Sequence, residues 1–269
     1  MPELPEVETV RKVLKTHVLK RKIENINVLY TKVFENIDVK LVDDFLKGQT
    51  INDIKRYGKW LIFCLDNYYM LSHLRMEGKY FYEVHDKHDI VVFNLDKGAL
   101  VYNDVRKFGR MYLLKLDELY SDKSPLKKLG KEPFSEDLTL EYLKEKYKNS
   151  NKYIKTSLLD QTIIVGIGNI YADEILFKSK ISPLRKCNTL TDLEIKNIIK
   201  YTKEILQKAI DKGGTTIKSY TSQEGVTGHF QTDLLVHQRQ GKECSICKSE
   251  IIKIKVNGRG TYYCPKCQK

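Results

Sequence analysis

No apolar run in the sequence approaches the roughly 20 residues needed to span a bilayer. The acidic start "MPELPEVETV" also lacks the apolar core of a signal peptide. The expectation is a soluble, cytoplasmic chain with no membrane partner. Internal repeats and low-complexity tracts are missing, which sets aside solenoids and disordered linkers. No G-x-G-x-x-G follows a strand, so the glycines of "GIGNIYADEILF" are not a dinucleotide fingerprint. Acidic residues are in deficit: Asp+Glu 35 against Lys+Arg 47 leaves a net +12. That balance favours an anionic partner, nucleic acid first.

The cysteines are few and do not read as a disulfide set. Four of the six lie near the C-terminus as "CSIC" and "CPKC", at Cys244, Cys247, Cys264 and Cys267. Sixteen residues separate the pairs, the C-x2-C…C-x2-C pattern of a zinc ribbon. Each pair can occupy one edge of a tetrahedron of thiolates around one structural Zn2+. Cys64 and Cys187 stand alone and are expected to be packing residues.

At 269 residues the chain is long enough to bury a substantial core and form two domains. A helix is expected from about Pro5, because Val7, Val10, Leu14 and Val18 recur at helical spacing. Pro5 suits a first turn, and Glu6 and Glu8 suit the positive end of its dipole. Residues to about 120 read as β-structure: "WLIFCLD", "YYMLSHL", "KYFYEV", "DIVVFNL" and "ALVYND" are short, β-branched or aromatic, and separated by turns. Residues 120–137 form the best candidate linker. Helices follow in "TLEYLKEKYKN", "TSLLDQ", "NIYADEILFKS" and "TDLEIKNIIKYTKEILQKAIDKGG". The last has a capping box, Thr191 to Glu194, and a Gly213-Gly214 stop.

Three stretches could grip an anion or a base. Gly166 and Gly168 lead into Asn169 at a helix start, where backbone N–H groups favour a phosphate. Asn169 could cap that helix or donate to a phosphate, and nearby Lys152 and Lys155 favour the phosphate reading. Gly258 and Gly260 bracket Arg259 between the cysteine pairs, a metal-braced tip suited to a phosphate. In "HLRMEGK" and "NDVRKFGR", Met76 and Phe108 are either core residues or apolar wedges among cations, the kind that enter a base stack.

Taken together, "MPELPEVETVRK", "GKW" with Lys59, "NDVRKFG", "GIGNIYADEILF", "GGTT" and the four-cysteine finger resemble the bacterial formamidopyrimidine-DNA glycosylases, in the family's order along the whole chain. The resemblance implies an α+β protein: a helix and N-terminal β-sandwich (1–131), a helix–two-turn–helix module (132–220), and a loop end with a zinc-finger hairpin (221–269). It implies a monomeric glycosylase and abasic-site lyase that excises oxidised purines from damaged double-stranded DNA. Pro2 would be the nucleophile once Met1 is removed, Glu3 the general acid, Lys59 a further proton donor and Arg259 a residue of the second elimination. Glu6 would order the amino terminus. Met76, Arg106 and Phe108 would fill the space of the everted base, with Arg106 facing the orphaned cytosine. His88, Lys107, Lys155 and Asn169 would hold the backbone, and "SYTSQEGVTGHF" would cover the base.

Two departures from the family pattern stand out, Asn151 in place of a basic residue and "VHQRQGKEC" before the finger, with His237, Gln238 and Arg239 replacing a Tyr-Gly-Arg type approach. Two other readings compete. The endonuclease VIII branch prefers oxidised pyrimidines, but its opening usually has Gly where Leu4 stands. A non-catalytic zinc-ribbon DNA-binding protein would not need Pro2, Glu3 and Lys59 together.

Overall fold

The computed structural model describes residues 1–84, 86–215 and 228–269. Its first element, α1 (Leu4–Val18), begins two residues after Pro2. The backbone N–H of Glu3 donates to Oε2 of Glu6 at 2.8 Å, the reciprocal half of a capping box. Leu4, Val7, Val10, Leu14 and Val18 are all buried, so one apolar stripe seats the helix on the sheets. At roughly 1.5–3 kcal/mol for each fully buried large apolar side chain, that stripe outweighs the helix's modest intrinsic propensity. Docking of α1 thereby fixes where the amino terminus lies.

The strands follow as β1 (Ile23–Val28), a short α2 (Val42–Leu46), β2 (Asp53–Tyr57), β3 (Trp60–Cys64), β4 (Tyr68–His73), β5 (Lys79–Phe81), β6 (Asp89–Leu95), β7 (Ala99–Asn103) and β8 (Arg110–Lys115). They form two four-stranded antiparallel sheets, ordered β1-β6-β7-β5 and β2-β3-β4-β8. Residues of both sheets, among them Phe63, Met70, Phe93 and Leu100, join the α1 stripe in one apolar core. This is the expected sandwich with its leading helix. Cys187 is buried, and Cys64 is half-buried.

A compact unit covers Met1–Lys128, and a second begins at Leu129. That boundary lies inside the stretch 120–137. The second unit holds α3 (Leu140–Tyr147), α4 (Ile154–Leu158), α5 (Asn169–Lys178) and α6 (Asp192–Asp211), then β9 (Ile252–Val256) and β10 (Arg259–Tyr263). The helical module and the cysteine hairpin, separated at 220/221 in the sequence reading, share this unit. Thr191 and Glu194 cap α6 reciprocally, as the spacing predicts: Thr191 N–H donates to Oε2 of Glu194 at 2.8 Å, and Glu194 N–H to Oγ1 of Thr191 at 3.3 Å. Gly213 and Gly214, both with positive φ, end it. No helix among the described residues is long and apolar enough to cross a membrane.

Candidate active site and nucleic-acid interface

Pro2 is buried, and Glu3, Glu6 and Lys59 are 3%, 3% and 5% exposed. Three ionisable side chains buried this deeply beside a chain terminus are not accounted for by packing. Burial pushes the Met1 ammonium below its ordinary value; Glu3 and Glu6 oppose that shift, Lys59 reinforces it and Glu77 opposes it. A desolvated amine set among both signs of charge has more of its free base at neutral pH. The charges of Glu3, Glu6 and Lys59 all act on the amino terminus ahead of Pro2, and Glu6 holds the Glu3 backbone. With Met1 attached, the Pro2 nitrogen is an amide.

Beside Lys59 in sequence, Trp60 pairs with His73 across β3 and β4, and their rings meet edge to face at 4.8 Å. Burial, with Arg75 and Lys59 adding to it, pushes His73 down to about 3, so its ring is neutral. Its Nδ1 accepts the N–H of Arg75 at 3.0 Å. That contact steadies Arg75 in the left-handed region, φ 51°, immediately before Met76. Met76 is 38% exposed. This resolves one open question: Met76 is a projecting side chain, not a core residue.

The second projecting turn is built on Asp104, whose carboxylate is fully buried. Its Oδ1 accepts from Arg106 N–H at 3.0 Å, and its Oδ2 from Phe108 and Gly109 N–H at 2.9 and 2.8 Å. Three backbone donors converging on one carboxylate rigidify the turn and force its side chains outward. Phe108 is 46% exposed, and the Arg106 guanidinium lies over its ring at 4.7 Å. Lys107 takes a positive φ and reaches over the Tyr30 ring at 5.1 Å. The backbone carbonyl of half-buried His88 accepts from Asp104 N–H at 3.1 Å, which ties His88 to the same turn. Tyr102, between the two projecting turns, is fully buried. A Cβ added at Gly78 would stand 2.1 Å from its hydroxyl, and one at Gly109 1.7 Å from it. Only glycine fits at these two positions.

In the second unit, α5 is capped by the Gly168 backbone rather than by Asn169, which is its first residue. The glycine turn before it is laced by Gln161, which accepts from Gly166 N–H at 2.8 Å and donates to the Ile167 carbonyl at 2.9 Å. Nδ2 of Asn169 donates instead to the Gly260 carbonyl at 2.9 Å. Lys155 requires a correction. It is fully buried, and its ammonium meets Oδ1 of Asp173 at 2.5 Å and the Asn169 carbonyl at 3.1 Å. Desolvated and ion-paired inside the unit, it is a structural strut rather than a hand for phosphate. Lys152 lies outside and pairs with Asp160 at 3.2 Å.

The departure at His237 finds its place here. The ring is buried, Nδ1 lies 2.7 Å from Oδ2 of Asp173, and Tyr262 packs against it. Glu174 accepts the backbone N–H groups of Leu235, Val236 and His237 at 2.8, 3.0 and 2.8 Å. Neither acidic partner stood out in the sequence, because "NIYADEILF" reads as one helix run. Asn151 is exposed and accepts from the Asn188 side chain at 3.0 Å. "SYTSQEGVTGHF", residues 219–230, lies outside the described residues except at its last three.

The cysteine hairpin forms as the spacing requires. Sγ atoms of Cys244, Cys247, Cys264 and Cys267 all lie within 4.8 Å of one another. Four sulfurs at Zn–S of about 2.3 Å on a tetrahedron would be roughly 3.8 Å apart, so the cage fits one zinc ion. Asn257 and Gly258, both with positive φ, make the two-residue turn joining β9 to β10. The next residue is the exposed Arg259. On its other side from Gly260, the Asn257 side chain donates to Oγ1 of Thr156 on α4 at 2.8 Å. Both shoulders of Arg259 are therefore fastened to the helices.

Three family models match in chain order. The formamidopyrimidine-DNA glycosylase N-terminal domain matches residues 1–111, the H2TH domain of the same enzymes residues 129–221, and the zinc finger found in FPG and IleRS residues 241–269. Formamidopyrimidine-DNA glycosylase of Oceanobacillus iheyensis is 46% identical over 276 residues, covering 100% of this chain and 98% of that one. The Mycoplasma genitalium protein of the same name is 45% identical, covering 100% and 96%. Among solved structures, Lactococcus lactis Fpg in complex with abasic-site DNA superposes at TM-score 0.91, with 43% identity and 99% of each chain covered. The Lactococcus lactis FPG complex with a Fapy-dG containing DNA gives TM-score 0.91 and 42% identity, covering 99% and 100%. A buried amino-terminal site, two projecting turns and a four-cysteine hairpin thus occur together with full-length likeness: the chain belongs to the formamidopyrimidine-DNA glycosylase family.

Proposed function

We propose that this chain excises oxidised purines, 8-oxoguanine and formamidopyrimidines, from duplex DNA and cleaves the resulting abasic site by β,δ-elimination. The observation that carries this reading is the burial of Glu3, Glu6 and Lys59 around the amino terminus. After removal of Met1, the secondary amine of Pro2 attacks C1′ of the damaged nucleotide. Glu3 protonates the sugar ring oxygen, the base departs, and a cationic iminium remains. No proton need be added to make that iminium an electron sink. Loss of a C2′ proton expels the 3′ phosphate, and a second elimination expels the 5′ phosphate. Lys59 supplies a further proton at the sugar, and Arg259 holds the phosphate leaving in the second step. Zinc, held by the four thiolates, braces the hairpin that carries Arg259.

An amine can reach C1′ only after the base has left the stack. Met76, Arg106 and Phe108 fill the vacated space, Arg106 facing the unpaired cytosine. His88, Lys107 and Asn169 hold the flanking backbone, and the charge of +12 supplies the long-range attraction. One chain carries all of these groups, so a monomer suffices for the reaction; its place of work is the cytoplasm, where the DNA of its bacterial relatives lies. The division into 1–131, 132–220 and 221–269 follows the roles: chemistry, backbone grip, and lesion cover with finger. The purified chain should cut a duplex bearing one 8-oxoguanine and leave phosphate on both ends of the gap. An intact strand after hot alkali, which reveals any abasic site, would refute base excision.

A further inference from the structure

Resting on the reading of Pro2 and Lys59 above, we propose that Glu8 and Arg56 are positioning residues that set the distance between the amino-terminal amine and the Lys59 ammonium. Neither residue belongs to the chemistry itself. Glu8 lies on α1, whose first turn adjoins the amine, and Arg56 on β2, just before the turn that delivers Lys59. Oε2 of Glu8 accepts from Nε of Arg56 at 3.2 Å and from Nε of Arg11 at 2.9 Å, while Oε1 accepts from Nη2 of Arg11 at 2.6 Å. Each guanidinium then reaches one further point on the β2–β3 hairpin. Arg56 donates to the Gly58 carbonyl at 2.9 Å, and Arg11 to the Ile54 carbonyl at 3.1 Å.

One carboxylate thus ties the helix to both the strand and the turn. Gly58 sits at φ 56° in the two-residue turn between Tyr57 and Trp60, and Lys59 is its second residue. A side chain projecting from so short a turn moves with it. The Glu8–Arg56 contact is shielded, with side chains 13% and 10% exposed, so it holds position better than a solvated pair. Burial raises Glu8, but its contacts with Arg11 and Arg56 outweigh that and hold its carboxyl below the usual range. It stays charged wherever the enzyme would work.

The consequence is electrostatic. Lys59 lowers the Met1 ammonium, while Glu3, Glu6 and Glu77 raise it; a Pro2 amine bared by loss of Met1, one residue further in, would meet the same charges, with Lys59 enlarging its nucleophilic fraction. Loosening the turn should shift that balance without touching the amine. The test is borohydride trapping on duplex DNA with an abasic site, followed across pH for wild type, Lys59→Met, Glu8→Gln, Arg56→Met and the Arg56→Met/Lys59→Met double variant. Glu8→Gln and Arg56→Met should each move the midpoint upward by about half a pH unit, a roughly threefold loss at neutral pH that alkaline buffer restores. Lys59→Met should move it likewise, and the double variant no further. Glu8→Gln keeps the shape of the contact, so it reports even where Arg56→Met unfolds. An unmoved midpoint, an equal loss at every pH, or independent effects in the double variant would overturn the proposal. A wild-type adduct away from Pro2 would instead remove the reading on which it rests.

Discussion

The side-chain amide of Asn169, the first residue of α5, donates to the backbone carbonyl of Gly260 at 2.9 Å. Asn257 reaches Thr156 on the other side of Arg259. Arg259 is therefore aimed by helices of the H2TH module, not by the zinc hairpin alone. Arg259→Ala should lower DNA affinity across sequences and reduce the salt slope by about one phosphate's worth. Asn257→Ala should cost about 1 kcal/mol of binding, roughly fivefold, with the slope nearly kept, since the cation remains. Fluorescence anisotropy over a salt series separates the two effects.

Metal loss should be selective. Cys244 and Cys264 are fully buried within a small cluster that includes Phe177, Val236 and Ile251, apart from the sandwich core. Cys244→Ser should release zinc and abolish DNA binding while the Met1–Lys128 unit keeps its cooperative unfolding. Stoichiometric metal and normal affinity in that variant would contradict the assignment.

The turn that carries Phe108 depends on Asp104. Removing a carboxylate that accepts three backbone N–H groups should cost roughly 2–4 kcal/mol for Asp104→Ala, because buried donors lose their partner. Phe108→Ala should leave stability nearly intact, its ring being 46% exposed. Both variants should impair excision from duplex DNA more than cleavage of a preformed abasic site, where eversion is cheaper. Equal losses on the two substrates would remove the wedge role.

His73 predicts an acid sensitivity. Its folded value of about 3 lies below the ordinary 6.5, so the unfolded chain takes up its proton first. The contribution to stability is whole above pH 6.5 and is lost as pH falls from there toward 3. Between pH 7 and 5 the loss should be about 2 kcal/mol. His73→Asn, which can still accept from Arg75 N–H without titrating, should flatten that part of the urea-denaturation profile. An unchanged slope would place the sensitivity elsewhere.

Much of this architecture was legible in the chain. Periodicity at Val7, Val10, Leu14 and Val18 gave α1, the Thr191–Glu194 box gave α6, and cysteine spacing gave the hairpin, because each signal is local. Lys155 misled, since a lysine beside a glycine-rich helix start looks like a phosphate ligand until Asp173, 18 residues away, is seen to neutralise it. His237 could be flagged only as a departure, its partner lying 64 positions earlier. Asp104 lies within "NDVRKFG", but three N–H groups converging on one carboxylate is a property of turn geometry. Glu8 lies in the opening motif, but its partner Arg56, 48 residues on, lies in none.

The central claim is that the amine of Pro2 performs the chemistry. Wild-type protein lacking Met1 should be incubated with lesion-containing duplex and borohydride, digested, and its DNA adduct mapped by mass spectrometry. The account predicts one covalent adduct, on the Pro2 nitrogen, and none when Met1 is retained. An adduct on Lys59 or any other residue, or equal trapping with Met1 in place, would contradict it.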